Sequence, residues 1–459
     1  MKDVLKRERA GALQRLKPYP AYKDSGVEWL GEIPAHWKAA KMWQVGRAMS
    51  GGTPAREERT YWDGDIPWVS PKDMKRRLID SSQDTVTERA IEETGIKLIA
   101  PPVVLIVVRG MILAHSFPVA ITTVPVTINQ DMKALTFRVG ILPLFMVWLF
   151  EGVGRPLLAT IVEEAAHGTR AIRMDQWRSV TVPVPAEVEQ RGIIAFLDRK
   201  TARIDALVAK KERLIELLQE KRTALITGAV TTGLDPNVPV KDSGVEWLGK
   251  TPAHWEVKRL WHLTPSDRRI MYGIVLPGPN VDDGVLIVKG GDVSPERLRI
   301  DRLNRTTREI ESGYVRSRLR GGDLVYAIRG SIGEVAMVPL ELQGANLTQD
   351  AARISYTSAT HGPWLLQALK SMRVFAQLEA GAVGATIRGI NIRDLKRASI
   401  AVPPVEEQRA IAAFLHQETA RIDALIAKVH EAIDRLKELR TALTSAAVTG
   451  KIDLRKEVA

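Results

Sequence analysis

The most suggestive catalytic spacing in the chain is Glu256-Val257-Lys258, an E-x-K pattern that nucleases use around a metal ion. Residues 38–40, which correspond to it in the internal repeat described below, are Lys-Ala-Ala and cannot do the same work. The 8 histidines are scattered, and the sequence has no HExxH pair, no GxxxxGKS/T phosphate loop and no NPPY methyltransferase motif. These residues therefore give little support for catalysis or metal binding by this chain.

Arginine and lysine, in contrast, are concentrated in loop-like segments. SPKDMKRR (residues 70–77) follows an aromatic run, residues 297–329 hold nine arginines, and GTRAIR (168–173) and GATIRGINIR (384–393) combine glycine, threonine and arginine. An arginine side chain can bind a guanine edge or a phosphate in bidentate fashion, so these segments are candidates for DNA contact. The alternatives are a solvated charged face or, for the last two segments, simple turns. The candidate DNA-binding residues are Ser70, Lys72, Lys75, Arg76, Arg77, Arg109, Gln130, Arg170, Lys289, Arg316, Arg318, Arg329, Ser331, Gln349 and Arg388.

Composition indicates the class of partner and the compartment. The chain has 459 residues and 45% hydrophobic content, which is enough for two or more globular cores. Its formal net charge is +12, which suggests a polyanionic partner, most often nucleic acid, although a basic enzyme has the same balance. The absence of cysteine fits a reducing compartment. The apolar runs at 98–108 and 141–150 are shorter than the roughly 20 residues that span a bilayer, so we expect a cytoplasmic protein.

The chain contains an internal repeat. Residues 23–43 and 241–261 are identical at 14 of 21 positions, and residues 195–230 and 413–448 at 21 of 36, both at an offset of 218. Between these blocks lie two segments, about 44–182 and 262–400, that read as mixed α/β and barely resemble each other at that offset. A shared scaffold that carries two different inserts suits two modules that do the same job on different targets.

The second repeated block predicts two long helices with a heptad stripe. It is rich in Ala, Leu, Glu, Lys and Arg, and its apolar residues recur every seven positions, interrupted in the first copy by Lys211. About 40 residues at ~1.5 Å each give rods of roughly 60 Å. We expect the two copies to pair with each other, the alternative being two separate homodimeric coils. The predicted coiled-coil positions are Leu197, Ile204, Leu218, Leu225, Leu415, Ile422, Val429, Leu436 and Leu443.

Taken together, these motifs resemble a known family. SGVEWLGEIPAHW, GGTP (51–54), YWDGDIPWVSPKDM (61–74), INQDMKAL (128–135), GDLVYAIRGSIG (322–333), VPPVEEQRAIAAFL and RIDALI are similar to the specificity subunit of type I restriction–modification systems. The likeness covers nearly the whole chain, in order and in both halves. It implies an α+β protein in which two mixed α/β target recognition domains are separated by two long helices that form an antiparallel coiled coil, with an internal pseudo-twofold repeat.

The resemblance also implies a function and partners. Each target recognition domain would read one half of a split site in double-stranded DNA, and the helices would set the distance between the half-sites. The chain itself would have no catalytic activity, no metal site and no cofactor. It would hold two modification (methyltransferase) subunits, which bind S-adenosylmethionine, and would join restriction (helicase-nuclease) subunits, which use ATP and Mg2+. The competing hypotheses are an orphan scaffold that bridges two DNA sites and, with less support, an enzyme complete in one chain.

Domain boundaries follow from the repeat and the resemblance. We predict a basic extension (1–22), target recognition domain 1 (23–182), helical spacer 1 (183–230), a linker (231–240), target recognition domain 2 (241–400), helical spacer 2 (401–448) and a tail (449–459). Tryptophans of the repeated entry segment suit packing against another subunit, the alternative being that they cap the core of their own domain. The predicted subunit-docking residues are Trp29, Trp37, Trp247 and Trp255.

Overall fold

The structure, a computed structural model, describes residues 17–164, 168–380 and 389–455. The described residues divide into two compact units. Unit 1 comprises those up to Lys211 together with those from Glu431 onward, and unit 2 comprises Glu212–His430. The division falls inside the two long helices, so each unit contains one insert of the repeat and a part of each helix.

Unit 1 is built around a five-stranded sheet of order β4-β11-β8-β9-β6. Its central strand β8 is fully buried and pairs antiparallel with β11, where Val104 lies opposite Leu135, and with β9, where Val104 lies opposite Ile121. A second sheet of order β10-β5-β7 carries the parallel pair β10–β5. The strands are β1 Tyr22–Asp24, β2 Glu32–Pro34, β3 Lys38–Lys41, β4 Gly46–Ser50, β5 Trp62–Val69, β6 Leu78–Ile79, β7 Asp84–Val86, β8 Val104–Val107, β9 Val119–Thr122, β10 Thr127–Ile128, β11 Met132–Phe137, β12 Val162–Glu164, β13 Arg170–Ile172 and β14 Thr181–Val184.

The helices of unit 1 outside the long pair are α1 Met42–Val45, α2 Glu88–Thr94, α3 Pro143–Ile161 and α4 Met174–Ser179. Helix α3 packs on β8 and β9 and extends well beyond the apolar run seen in the sequence, because Pro156 is accommodated within it. By length and composition α3 is the one described helix that could cross a membrane, but 61% of its most apolar window is buried inside the protein. That burial is typical of a core helix.

Unit 2 repeats this arrangement with a smaller sheet of order β18-β24-β21-β22. Its buried strand β21 pairs antiparallel with β22 and β24, and a second sheet of order β20-β19-β23 carries the parallel pair β19–β23. The strands are β15 Val240–Asp242, β16 Lys250–Pro252, β17 Glu256–Arg259, β18 Met271–Tyr272, β19 Val285–Val288, β20 Asn304–Thr306, β21 Leu324–Ala327, β22 Val335–Met337, β23 Asn346–Leu347, β24 Ala351–Ile354 and β25 Ser399–Val402. The shorter helices are α6 Arg308–Ser312, α7 Gly362–Lys370, α8 Met372–Ala380 and α9 Ile392–Arg397.

The two long helices are α5, Glu187–Thr232, and α10, Val405–Val448. In unit 1 the start of α5 shares a core with the end of α10, and Asp205 pairs with Arg440 at 3.0 Å. In unit 2 the equivalent pair is formed the other way round: the arginine, Arg222, lies on α5 and the aspartate, Asp423, lies on α10, at 3.4 Å. The helices therefore run antiparallel within each unit, and the predicted fold class is confirmed.

The seam between the helices uses two positions per heptad, whereas the sequence analysis identified one. The predicted residues Leu197, Ile204, Leu415, Ile422 and Leu443 are buried, and Leu218, Leu225, Val429 and Leu436 are half-buried. Four residues after the predicted positions come further buried residues, among them Thr201, Ile215, Thr419, Ile433 and Ala447. Alternation of these two sets is the a/d pattern of a coiled coil, and Lys211 occupies one d position, half-buried.

A glutamate at the start of each long helix fastens the repeated entry segment. Glu189 accepts hydrogen bonds from Tyr19 Oη at 2.8 Å and from Trp37 Nε1 at 3.2 Å. Glu407 accepts one from Trp255 Nε1 at 3.1 Å. Each glutamate also lies within hydrogen-bond distance of the histidine before that tryptophan. The repeated segment therefore recurs because each long helix needs the same buried tryptophan against its first turn.

The next residue of each long helix is a glutamine whose side chain makes a second set of hydrogen bonds. The Gln190 side chain accepts from the Leu142 amide at 2.8 Å and donates to Pro185 O at 2.9 Å. In unit 2, Gln408 accepts from the His361 amide at 2.7 Å and donates to Pro403 O at 2.9 Å. Both glutamines are fully buried, so the Glu-Gln pair fixes each helix to its own unit.

We predict that Glu189→Ala destabilises unit 1 by about 1–3 kcal/mol, because the buried Trp37 indole loses its acceptor. Glu189→Gln should lose less, since an amide oxygen still accepts. The matched control is Glu187→Ala, which removes an exposed carboxylate from the same turn and an ion pair with Arg191, with an effect of about 0–1 kcal/mol. Chemical denaturation of the full chain would measure these changes, and equal losses for the Glu189 and Glu187 variants would contradict the assignment.

Candidate nucleic-acid interface

Four loops of unit 1 converge where the buried strand β8 ends. They are residues 51–54, 70–73, 108–110 and 129–131. Backbone hydrogen bonds tie them together: Gly52 N to Ile128 O at 2.9 Å, Asn129 N to Val69 O at 3.0 Å, and Val108 N to Asp131 O at 2.8 Å. Each loop follows a strand or precedes one, so the sheets determine where its exposed side chains lie.

Unit 2 contains the same convergence. Its four loops are residues 273–277, 289–292, 328–330 and 348–350. Corresponding backbone bonds join them: Ile274 N to Leu347 O at 2.7 Å, Thr348 N to Val288 O at 2.9 Å, and Ile328 N to Asp350 O at 2.9 Å. The loops approach one another closely, because a Cβ placed on Gly290 would meet the carbonyl oxygens of Arg329 and Asp350.

An aspartate closes the equivalent turn in each unit. Asp73 Oδ2 accepts from the Ser70 amide at 2.8 Å, and Asp292 Oδ2 accepts from the Lys289 amide at 2.9 Å. Each carboxylate therefore closes its own turn, and Asp73 Oδ1 also accepts from the Gln83 amide at 2.8 Å. In unit 1 the turn leaves Lys72 exposed to solvent.

The side chains that these loops present are suited to reading DNA. Arg109 and Arg329 are exposed at equivalent positions, two residues after the last residue of the buried strand of each unit. Gln130 and Gln349 occupy equivalent positions in the fourth loop, and the Gln130 side-chain oxygen accepts from Thr53. Arginine pairs with guanine and glutamine with adenine in the major groove, so each loop cluster carries groups for base recognition as well as for phosphate contact.

A further segment borders each cluster. Arg109 forms an isolated bridge with Ala171, and the Gly110 amide donates to Arg170 O at 2.9 Å, which brings the predicted residue Arg170 next to the arginine loop. In unit 2, Arg329 forms the equivalent bridge with Gly389. Residue Arg388, also predicted to contact DNA, lies outside the described residues.

Three residues predicted to contact DNA have polar groups that are already engaged within the protein. The Arg77 guanidinium forms a bidentate pair with Glu151 at 2.7 and 2.8 Å and stacks on an indole ring. Arg318 forms a bidentate pair with Glu311, both bonds at 2.6 Å, and this guanidinium lowers the pKa of the glutamate. The side chain of Ser70 is buried and donates to the aspartate of its own turn at 3.0 Å.

The remaining predicted residues are accessible to different degrees. Lys75, Arg76 and Arg316 are exposed, and Arg76 pairs with Asp80 at 2.8 Å. Lys289, Ser331 and Gln349 are half-buried at the loop cluster of unit 2. Most arginines of the segment 297–329 form local bonds instead; Arg299, for example, pairs with Asp301 at 3.1 Å. Arginine density in the sequence therefore does not show which guanidinium groups are available to a partner.

The four tryptophans predicted to dock another subunit do not share one environment. Trp37 and Trp255 are fully buried and held by the glutamates described above, so the docking assignment is wrong for them. Trp29 is half-buried beside a groove of about 830 Å3, and Trp247 is 40% exposed. Two of the four thus remain accessible.

The family of the chain is shown by comparison with known proteins. The type I restriction modification DNA specificity domain matches residues 34–217 and 297–435. The chain is 34% identical over 209 residues to the EcoR124I/EcoR124II specificity subunit of Escherichia coli, covering 45% of this chain and 50% of that subunit. It is 27% identical over 276 residues to the E. coli EcoBI specificity subunit, covering 59% and 58%. The matched part thus spans between half and three-fifths of these relatives.

Solved structures show the same fold. A chain from a study of complex assembly and conformational transition of the type I R-M system has a TM-score of 0.67 at 16% identity, covering 91% of this chain and 98% of that one. The HsdS subunit from Thermoanaerobacter tengcongensis has a TM-score of 0.52 at 16% identity, covering 92% and 98%. With the domain match over both halves, these likenesses place the chain in a family: it belongs to the type I restriction–modification DNA specificity proteins.

Proposed function

We propose that the chain is a non-catalytic specificity subunit that recognises double-stranded DNA, each unit reading one half of a two-part site through its four converging loops. The observation that carries this proposal is the recurrence of the same loop cluster in both units, with arginine and glutamine at equivalent positions. A pair of equivalent clusters on one chain suits a target that is itself divided in two.

The two half-sites should differ in sequence, because the loops differ around the equivalent residues. The second loop contains Ser-Pro-Lys before its aspartate in unit 1 and Lys-Gly-Gly in unit 2. The first loop is Gly-Gly-Thr-Pro at 51–54 and Gly-Ile-Val-Leu-Pro at 273–277. Different donors and apolar groups around a common arginine and glutamine would select different bases.

The catalytic partners in this proposal are other subunits. We propose two modification (methyltransferase) subunits, with S-adenosylmethionine bound to them, and restriction (helicase-nuclease) subunits that use ATP and Mg2+, all in the cytoplasm of a bacterium or archaeon. Across residues 17–164, 168–380 and 389–455, no group of three or more His, Asp or Glu could hold a metal ion. The alternative, an orphan scaffold without a methyltransferase, would bind DNA through the same loops.

We predict that the purified chain binds two copies of its cognate modification subunit, and that cells carrying both proteins methylate one asymmetric motif with an unread spacer. Size-exclusion chromatography with light scattering measures the first result, and methylome sequencing the second. A chain that does not bind the modification subunit but does bind two-part DNA would favour the orphan-scaffold alternative. A single uninterrupted motif would contradict the two-cluster proposal.

A further inference from the structure

An exposed tryptophan ends the first repeated block in each half of the chain. Trp43 is 52% exposed and Trp261 is 41% exposed, and the two stand at the common offset of 218. Neither belongs to the buried core of its unit, in contrast to Trp37 and Trp255. All five residues between the buried and the exposed tryptophan differ between the halves, yet the exposed tryptophan is present in both.

Equivalent backbone hydrogen bonds hold the segments that carry the two tryptophans. In unit 1 the residue before Trp43 donates its amide to Val180 O at 2.8 Å, and in unit 2 the residue before Trp261 donates to Ala398 O at 2.9 Å. Two residues further on, Val45 O accepts from Arg138 N at 2.9 Å, and the equivalent Leu263 O accepts from Thr357 N at 2.9 Å. The equivalence is therefore structural as well as sequential.

In unit 1, Trp43 stands over a groove of about 480 Å3 with an apolar floor and a basic rim. The floor includes Met42, Phe137 and Met174, and the rim includes Arg47, Arg138 and Arg178. The described residues that line this groove include no aspartate or glutamate. In unit 2 the residue equivalent to Arg178 is Lys396, and Arg397 lies beside it on the same short helix. Helices α4 and α9 each contact the segment that carries the tryptophan, and each supplies a cation at the equivalent position.

The groove lies away from the DNA-reading loops. Strand β4 begins at Gly46, next to helix α1, and ends at Ser50, next to the loop at 51–54. The neighbouring strand β11 runs antiparallel to it, from the loop at 129–131 toward Phe137 in the groove. Five residues of strand cover about 16 Å, so the groove and the loops occupy opposite ends of the same two strands.

We infer that Trp43 and Trp261 anchor two copies of one acidic protein partner, each inserting an apolar side chain flanked by carboxylates. An indole beside an apolar floor supplies the buried contact that interfaces concentrate in a few aromatic residues, and the arginine rim selects negative charge. DNA is the less suitable occupant, because the groove is at the far end of the strands from the loops that carry the base-reading groups. The inference rests on the proposed function, under which the partner is the modification subunit.

The test uses the full chain and its cognate modification subunit, the partner that the proposed function assigns to it. Size-exclusion chromatography with light scattering should give two bound copies for the wild-type chain, one copy for Trp43→Ala or Trp261→Ala, and none for the double variant at micromolar concentration. Arg178→Glu and Lys396→Glu, which change exposed or half-buried helix residues, should each weaken one of the two sites at least tenfold, and Arg178→Lys should not. Met111→Ala and Leu340→Ala, at side chains 71% and 79% exposed elsewhere, are the matched controls and should retain both copies.

The DNA affinity of each purified variant is measured in parallel. We expect it to be unchanged within twofold for the tryptophan variants, which also shows that they fold. Two copies bound with wild-type affinity to either single variant would overturn the inference, as would loss of DNA binding with both copies retained, which would make the groove a DNA surface. A wild-type chain that binds no modification subunit would instead overturn the proposed partner, and this inference with it.

Discussion

Alanine at Arg109 should relax one half of the recognised DNA motif and leave the other half unchanged, and alanine at Arg329 should do the reverse. Each arginine is exposed at the equivalent point of a loop cluster in a different unit. Loss of a bidentate contact to guanine costs about 1–3 kcal/mol, or roughly 5- to 150-fold in affinity. The double variant should lose roughly the product of the two effects, since the sites are separate. Methylome sequencing reports which half relaxes, and DNA titration reports the affinity.

Substitution of a phosphate-contacting lysine should affect DNA binding differently from substitution of Arg109 or Arg329. Lys72→Ala should weaken binding to every DNA sequence and reduce the slope of log affinity against log salt by about one unit, without changing the motif. Arg302→Ala is a suitable control, because Arg302 is an exposed arginine that pairs with Asp301 and belongs to no converging loop. If Arg109→Ala and Arg329→Ala altered the same half of the motif, the assignment of one unit to each half-site would be wrong.

The repeat and the helices could be predicted from the sequence, but the loop clusters could not. The shared blocks keep an offset of 218, so comparison at that offset aligns them at once. Within the inserts the structurally equivalent residues drift: Asp131 corresponds to Asp350 and Arg109 to Arg329, at offsets of 219 and 220. A few inserted residues were enough to conceal the similarity at a fixed offset. Loops of unequal length between equivalent strands hide such a relation until hydrogen bonds define the pairs.

The charge clusters of the sequence do not show which arginines are available, and the reason is physical. Several arginines of this chain are engaged in ion pairs or on carbonyl oxygens, and the sequence does not show which. Arg318 binds Glu311, seven residues away, whereas Arg77 binds Glu151, 74 residues away. The buried tryptophans raise the same problem, because burial of Trp37 depends on Glu189, 152 residues further along the chain. The identity of each side chain was informative, but its partner is a property of the fold.

The long helices provide the second large expected effect. Helix α5 contributes residues up to Lys211 to unit 1 and its remainder to unit 2, and α10 passes between the units at His430 and Glu431. One heptad inserted at each of these two points keeps the a/d seam in phase, because seven residues are one full repeat. The ion pairs Asp205–Arg440 and Arg222–Asp423 lie on either side of the insertions and are therefore retained. Seven residues lengthen a helix by about 10 Å. If the helices set the distance between half-sites, the preferred spacer should grow by about three base pairs, at ~3.4 Å each.

The measurement is DNA selection from a library that keeps both half-sites, as defined by methylome sequencing, and varies only the spacer. Three base pairs turn B-DNA by roughly 100°, at about 10.5 base pairs per turn, so some loss of affinity should accompany the longer optimum. A heptad inserted in α5 alone leaves seven residues without a partner on α10. That variant should unfold at a lower temperature and should not give a single, longer preferred spacer. The doubly extended variant must be folded, which its melting temperature reports. A folded, doubly extended chain that still selects the original spacer would show that the helices do not set the distance, and the spacing would then have to come from the loops or from the partner subunits.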